Sequence, residues 1–215
     1  MISLRGAFPR VSRPALLCFL IFAGVALLVG TRLTRSIDEN ILRSAALMRT
    51  PSLTSMMHGV SALGDWQGEI PLLLLVPAVL WSRGHGRSAW RFVAFAFASE
   101  VAMNVIKIIA QRQRPSVVER LAGAGSLSFP SGHATLAAVS WGFGLFLVAE
   151  QVKPRAGKFA LWTLALVVPA AISLSRVYLG VHYPTDVLAG LALGFGWVLW
   201  WRESIAPRRD AVVAQ

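Results

Sequence analysis

Charge is scarce in this chain. Only 14% of its 215 residues are Asp, Glu, Lys or Arg, whereas an average soluble protein carries about a quarter. The missing charge points to lipid as the solvent, and 55% hydrophobic residues with a mean hydropathy of +0.60 agree. Cysteine is nearly absent: Cys18 stands alone inside the first apolar run. An intramolecular disulfide and a cysteine-based zinc site are therefore excluded, and Cys18 reads as a small apolar side chain. Acidic residues are few, 10 against 21 Lys and Arg, for a net charge of +11. No basic stripe and no nucleic-acid motif accompanies that excess. The cations fall in short segments between apolar runs, where anionic lipid headgroups attract them. Nucleic acid is thus not an expected partner, and no obligate protein partner is evident.

Six apolar segments are present: Ala15–Gly30, Ile70–Ser82, Ala89–Ala110, Ala134–Ala149, Phe159–Leu174 and Val187–Trp201. A span needs about 20 mostly apolar residues, so polar flanks extend the shorter ones. Pro77 should kink the second, because it removes a backbone donor. The first follows Arg5, Arg10 and Arg13 but ends at Gly30-Thr31-Arg32 without a small-residue cleavage pattern. It reads as an uncleaved span. The expected fold is all-α: a six-span transmembrane helical bundle forming one domain over 1–215, with the motif-bearing core at about 59–200.

Between spans one and two, Ile37, Ile41, Leu42, Ala45, Met48, Leu53, Met56, Met57, Val60 and Leu63 recur at mostly helical spacing. Arg35, Asp38, Glu39, Arg43 and Arg49 form the other face, and Pro51 divides the stretch. This predicts one or two amphipathic helices on the outer surface, packing over the bundle or gating lipid entry. With an inside N-terminus, twelve cations lie on inner segments and nine on outer ones, and three of the nine have a chemical role. The positive-inside rule then places both termini in the cytoplasm.

Three motif segments fall on the same outer side. Lys107 ends the third span and Arg114 lies seven residues on, before Pro115. Pro115 disfavours helical geometry at Arg114, so the two cations can converge from a helix end and a loop. Either alone reads as a snorkelling interfacial cation. Pro130-Ser131-Gly132-His133 opens the fourth span. Ser131 can cap the helix, Gly132 admits close backbone approach, and free amides at a helix start bind phosphate. His133 beside the anion suits a general acid. Arg176, His182 and Asp186 precede the sixth span. A carboxylate on one ring nitrogen of His182 would fix the tautomer and free the other nitrogen for attack. Two histidines, a carboxylate and three cations at one membrane face are costly unless used.

Lys-x6-Arg-Pro at 107–115, Pro-Ser-Gly-His at 130–133 and Ser-Arg-x5-His-x3-Asp at 175–186 together resemble the signature of the type 2 phosphatidic acid phosphatase superfamily. All three patterns match without substitution. The resemblance implies phosphate binding by Lys107, Arg114, Ser131, Gly132 and Arg176. It implies acid catalysis by His133, and nucleophilic attack by His182 oriented by Asp186, through a phosphohistidine. It also implies a six-span membrane fold with no metal and no cofactor. The expected substrate is a lipid phosphate or diphosphate, of the undecaprenyl diphosphate, phosphatidic acid or phosphatidylglycerophosphate type. A lipid phosphotransferase remains the alternative. Size and the lack of glycosylation triplets in the outer loops fit a bacterial inner (plasma) membrane, with the site on the outer face.

Several polar residues stand outside these motifs. Glu100 lies two helical turns before Lys107 and is expected to support it or to share a polar spot with Asn104. His58 and His85 read as surface residues. Asp65, Trp66 and Glu69 read as a helix start, or as contacts to a headgroup.

Overall fold

A computed structural model describes residues 11–205. Arg5, Arg10, Arg208 and Arg209, which enter the expected charge asymmetry, lie outside the described residues. Among the described residues every regular element is a helix, and the long connection at 111–131 holds one isolated antiparallel bridge, Gln113 to Leu127. Helix α1, Arg13–Gly30, starts where Ser12 accepts a hydrogen bond from the Ala15 amide at 3.2 Å, with a proline in the first turn. Helices α2, Arg35–Leu47, and α3, Pro51–Ala62, follow. Pro51 begins α3 and the Thr50 hydroxyl caps it, which is why the stretch breaks there. Helix α4, Trp66–Ser82, continues through Pro71 and Pro77. Helix α5 is Gly86–Ala110.

The fourth apolar segment is helical throughout, as α6, Gly132–Ala137, a π turn at Ala138–Phe143 and α7, Gly144–Ala149. Helices α8, Arg155–Tyr178, and α9, Pro184–Ile205, complete the order. Five helical stretches among the described residues are long and apolar enough to cross a membrane: Arg13–Gly30, Pro51–Ser82, Gly86–Ala110, Gly132–Ala149 and Arg155–Tyr178. The second of these runs from α3 through α4. The sixth expected span lies inside α9, which is not among the five.

The inner core gathers Leu72, Val76 and Leu80 of α4 with Phe92 and Phe95 of α5 and Phe143 of the π turn. Phe95 meets Phe143 edge-on at 5.5 Å between ring centroids and stacks on Trp201 at 5.2 Å. The other end is held by close backbone approach. A Cβ at Gly190 would lie 2.7 Å from the Ser131 carbonyl oxygen, and one at Gly194 would lie 2.7 Å from the Ala138 Cβ. Small residues let membrane helices pack this closely, and here they press α9 onto the Ser-Gly-His segment.

Helix α2 does not turn all its charge outward. Asp38 is 0% exposed and shares the buried side with Leu42, one turn on. The expectation that Asp38 fills a polar outer face is therefore corrected: it lies inward because Arg112 pairs with it at 2.7 Å.

Candidate active site

Helix α5 ends three residues after Lys107. Gln111 adopts a left-handed conformation (φ 48°), with its amide on the Lys107 carbonyl at 3.0 Å. The third span thus ends at Ala110, where the apolar run stops, and Arg114 lies in the loop, as expected. The chain that follows brings Arg112 to Asp38 and Asp186, and Arg114 to His182. The Phe129–Pro130 peptide is cis, and Ser131 starts α6 by accepting from the Ala134 amide at 3.4 Å.

Lys107, Arg114, Gly132, His133, Arg176 and His182 line one cavity of about 480 Å³. Asp186 is buried behind His182, and Ser131 is buried beside it, with its amide on the Asp186 carbonyl at 3.0 Å. The residues singled out in the sequence therefore come together, with Ser131 and Asp186 one layer back from the cavity wall. Arg176 donates to the Ser61 hydroxyl at 2.5 Å, and its Nε is buried without a partner among the described residues. A buried donor without an acceptor is costly, and an anion in the cavity would satisfy it. Lys107 Nζ makes a long contact, 3.5 Å, to the Leu127 carbonyl.

His182 is held on both ring nitrogens. Arg114 Nη1 sits 2.9 Å from Nε2. A guanidinium only donates, so Nε2 is the acceptor and the proton is on Nδ1. That side reaches Asp186 Oδ2 at 3.5 Å and the Ser128 hydroxyl at 3.4 Å. Ser128 donates to the same Asp186 oxygen. Since 3.5 Å is long for a hydrogen bond, Ser128 relays the carboxylate to the ring. Burial pushes the His182 imidazole down to about 3 against the pull of Asp186, with Arg114 and Lys107 adding to the fall. The ring is neutral at physiological pH.

Sequence reasoning missed several members of this site. Arg112 bridges Asp186 Oδ1 at 2.5 Å and Asp38 Oδ2 at 2.7 Å, and Thr185 donates to Asp38 through its amide and its hydroxyl. The placement of Asp38 one turn before Leu42, on an apolar stripe, was the available signal. Ser128 carried none. Asp65 accepts from or shares a proton with His133 Nε2 at 2.7 Å. Glu100, by contrast, was expected to share a polar spot with Asn104, and it accepts from Asn104 at 2.7 Å, both lining the first cavity. His58 and His85 are exposed, as expected. A second, larger cavity of about 760 Å³ lies between α1 and α5. It holds neither histidine but shares Arg114 with the first.

These features define an integral membrane protein with a cationic cavity built around two histidines. The PAP2 superfamily model matches residues 88–210, and the chain belongs to that superfamily. It is 34% identical over 180 residues to phosphatidylglycerophosphatase B of Bacillus subtilis, covering 82% of this chain and 87% of that protein. It is 34% identical over 154 residues to a decaprenylphosphoryl-5-phosphoribose phosphatase of Mycobacterium tuberculosis, covering 70% and 79%. The crystal structure of a transmembrane PAP2 type phosphatidylglycerolphosphate phosphatase from Bacillus subtilis superposes with a TM-score of 0.84 at 29% identity, covering 92% of this chain and all of that one.

Proposed function

We propose that the protein hydrolyses a lipid phosphate by way of a phosphohistidine on His182, without a metal ion. The observation that carries this reading is the 2.9 Å contact of Arg114 with His182 Nε2 in the wall of a cavity that Lys107 and Arg176 also line, which makes Nε2 the acceptor nitrogen. The substrate phosphoryl group draws Arg114 from Nε2 onto its own oxygens, with Lys107, Arg176 and the amides after Ser131 completing the cradle. Nε2 forms a bond to phosphorus as the bond to the lipid oxygen breaks. His133 gives that oxygen its proton. His133 then takes a proton from water, which attacks phosphorus and breaks the P–N bond, releasing phosphate and restoring His182. Asp186, through Ser128, steadies the charge that forms on the ring.

The substrate we favour is a glycerophospholipid monoester of the phosphatidylglycerophosphate type. Similarity along most of both chains to phosphatidylglycerophosphatase B supports it. Helix α9 is read as the sixth span, both termini as cytoplasmic and the cavity as opening on the outer face of a bacterial plasma membrane. The larger cavity between α1 and α5, apolar along Phe22, Val29 and Ile106, is suited to an acyl chain.

The test is phosphate release by purified protein in detergent with EDTA. The panel is phosphatidylglycerophosphate, phosphatidic acid, undecaprenyl diphosphate and lipid A. Release that is fastest on the first and absent in His182→Ala is expected. A strict magnesium requirement would overturn the metal-free mechanism. Release only when an acceptor lipid is added would make the protein a phosphotransferase.

A further inference from the structure

Residues 61–65, the junction between α3 and α4, lie outside the stretch matched by the superfamily model, which begins at residue 88. Yet this junction touches the motifs at several points. Ser61 accepts from Arg176, and the Leu63 carbonyl accepts from Trp141 Nε1 at 2.9 Å. Gly64 is buried against His133: a Cβ there would stand 3.2 Å from the ring Cδ2 and 2.7 Å from Ile172 Cγ2. Asp65 occupies the N-cap position of α4 but makes no side-chain capping bond. Its carboxylate lies 2.7 Å from His133 Nε2 instead. Asp65 forgoes the stabilising capping bond for the histidine.

We infer that Asp65 is a positioning residue for the general acid, holding His133 by Nε2 in the orientation and charge state from which it protonates the leaving lipid oxygen. This rests on the acid role proposed above for His133. The electrostatic need is plain. Arg176 of α8, Arg114 of the loop and Lys107 of α5 share the cavity with His133, and each disfavours a second positive charge on the ring. Glu100 of α5 lines the same cavity but pairs with Asn104. Asp186 of α9 is engaged by Arg112 and Ser128. Asp65 is the carboxylate in contact with His133. It accepts the Nε2 proton and leaves Nδ1 to exchange a proton with the leaving oxygen and then with water. Its side chain is 41% exposed, so the junction can present it without burying an uncompensated charge.

Asp65→Asn separates this role from a structural one, because Asn caps helices as well as Asp and matches its shape. Two probes are compared in detergent: phosphatidic acid, whose alkoxide needs a proton, and p-nitrophenyl phosphate, whose leaving group does not. In Asp65→Asn, turnover of phosphatidic acid is expected to fall at least tenfold, with the initial release of p-nitrophenol changed less than threefold, against general-acid contributions of about 10²–10⁴-fold. The basic limb of the phosphatidic acid rate profile should move to lower pH, and Asp65→Glu should recover part of the loss. Asp65→Ser, which also caps, repeats the comparison should the first variant not fold. Equal losses on both probes, or an unchanged pH profile, would overturn the inference. His133→Ala run in parallel separates the layers. If it too shows no dependence on the leaving group, the acid role itself is wrong.

Discussion

Arg112 grips Asp186 at 2.5 Å and Asp38 at 2.7 Å, and so ties the carboxylate behind the proposed nucleophile to helix α2. Both carboxylates are fully buried and the guanidinium nearly so. Removing one partner from such a group leaves charge stranded, at a cost of about 3–5 kcal/mol. Asp38→Ala should therefore lower thermal stability in detergent sharply although Asp38 does not reach the cavity. Asp38→Asn, which keeps an acceptor for Thr185, should lose less. A melting temperature unchanged in Asp38→Ala would deny the tie.

Asp186→Asn should keep the fold and lose the chemistry. The amide can present its NH₂ to Nδ1, which favours the tautomer with the proton on Nε2, the wrong one for attack. By the behaviour of comparable His–Asp pairs, the rate constant should fall by roughly 10³-fold or more. Ser128→Ala should fall less, since the 3.5 Å contact of His182 with Asp186 remains. Steady-state rates of the two variants check the order.

His182 also links stability to pH. Burial holds its folded-state value at about 3, below the ordinary value of about 6.5. Above about pH 8 both folded and unfolded forms are neutral at this residue, and it contributes no pH dependence. As pH falls through 6.5 the unfolded chain takes up a proton that the folded site refuses. Stability should then drop by about 1.4 kcal/mol per pH unit until pH approaches 3. His182→Gln should show a shallower decline over that window in a thermal melt series, and an equal slope would contradict the assignment.

Topology is open to labelling because Cys18 is the sole cysteine. In a Cys18→Ala background, Ser126→Cys in the loop over the cavity should react with a membrane-impermeant maleimide added to intact cells. His85→Cys, between α4 and α5, should react only after lysis. Both positions are exposed. The reverse pattern would invert the proposed orientation.

Much of the architecture could be read from the chain because the apolar runs and the motifs are local signals. Lys107, Arg114, His133, Arg176 and His182 were found by type and spacing, and they share one cavity. What escaped were residues whose meaning is purely tertiary. Asp38 reaches Thr185 across 147 positions, and Asp65 reaches His133 across 68. Neither pairing leaves a periodic trace. The sequence offers Asp65 as a helix start or a headgroup contact, and its position satisfies the first while its side chain makes no capping bond. The π turn at Ala138–Phe143 was also illegible, since one extra residue in a helical turn leaves the apolar pattern intact.

The central claim is a covalent bond between His182 and phosphorus, and trapping that bond tests it most directly. His133→Ala with p-nitrophenyl phosphate should accumulate it, since the leaving group needs no acid while the attacking water has lost its base. Rapid mixing should give a burst of p-nitrophenol equal to the enzyme present, and one acid-labile phosphoryl group on the peptide that carries His182. Steady turnover with no burst, or a phosphoryl group that persists in His182→Ala, would contradict the mechanism.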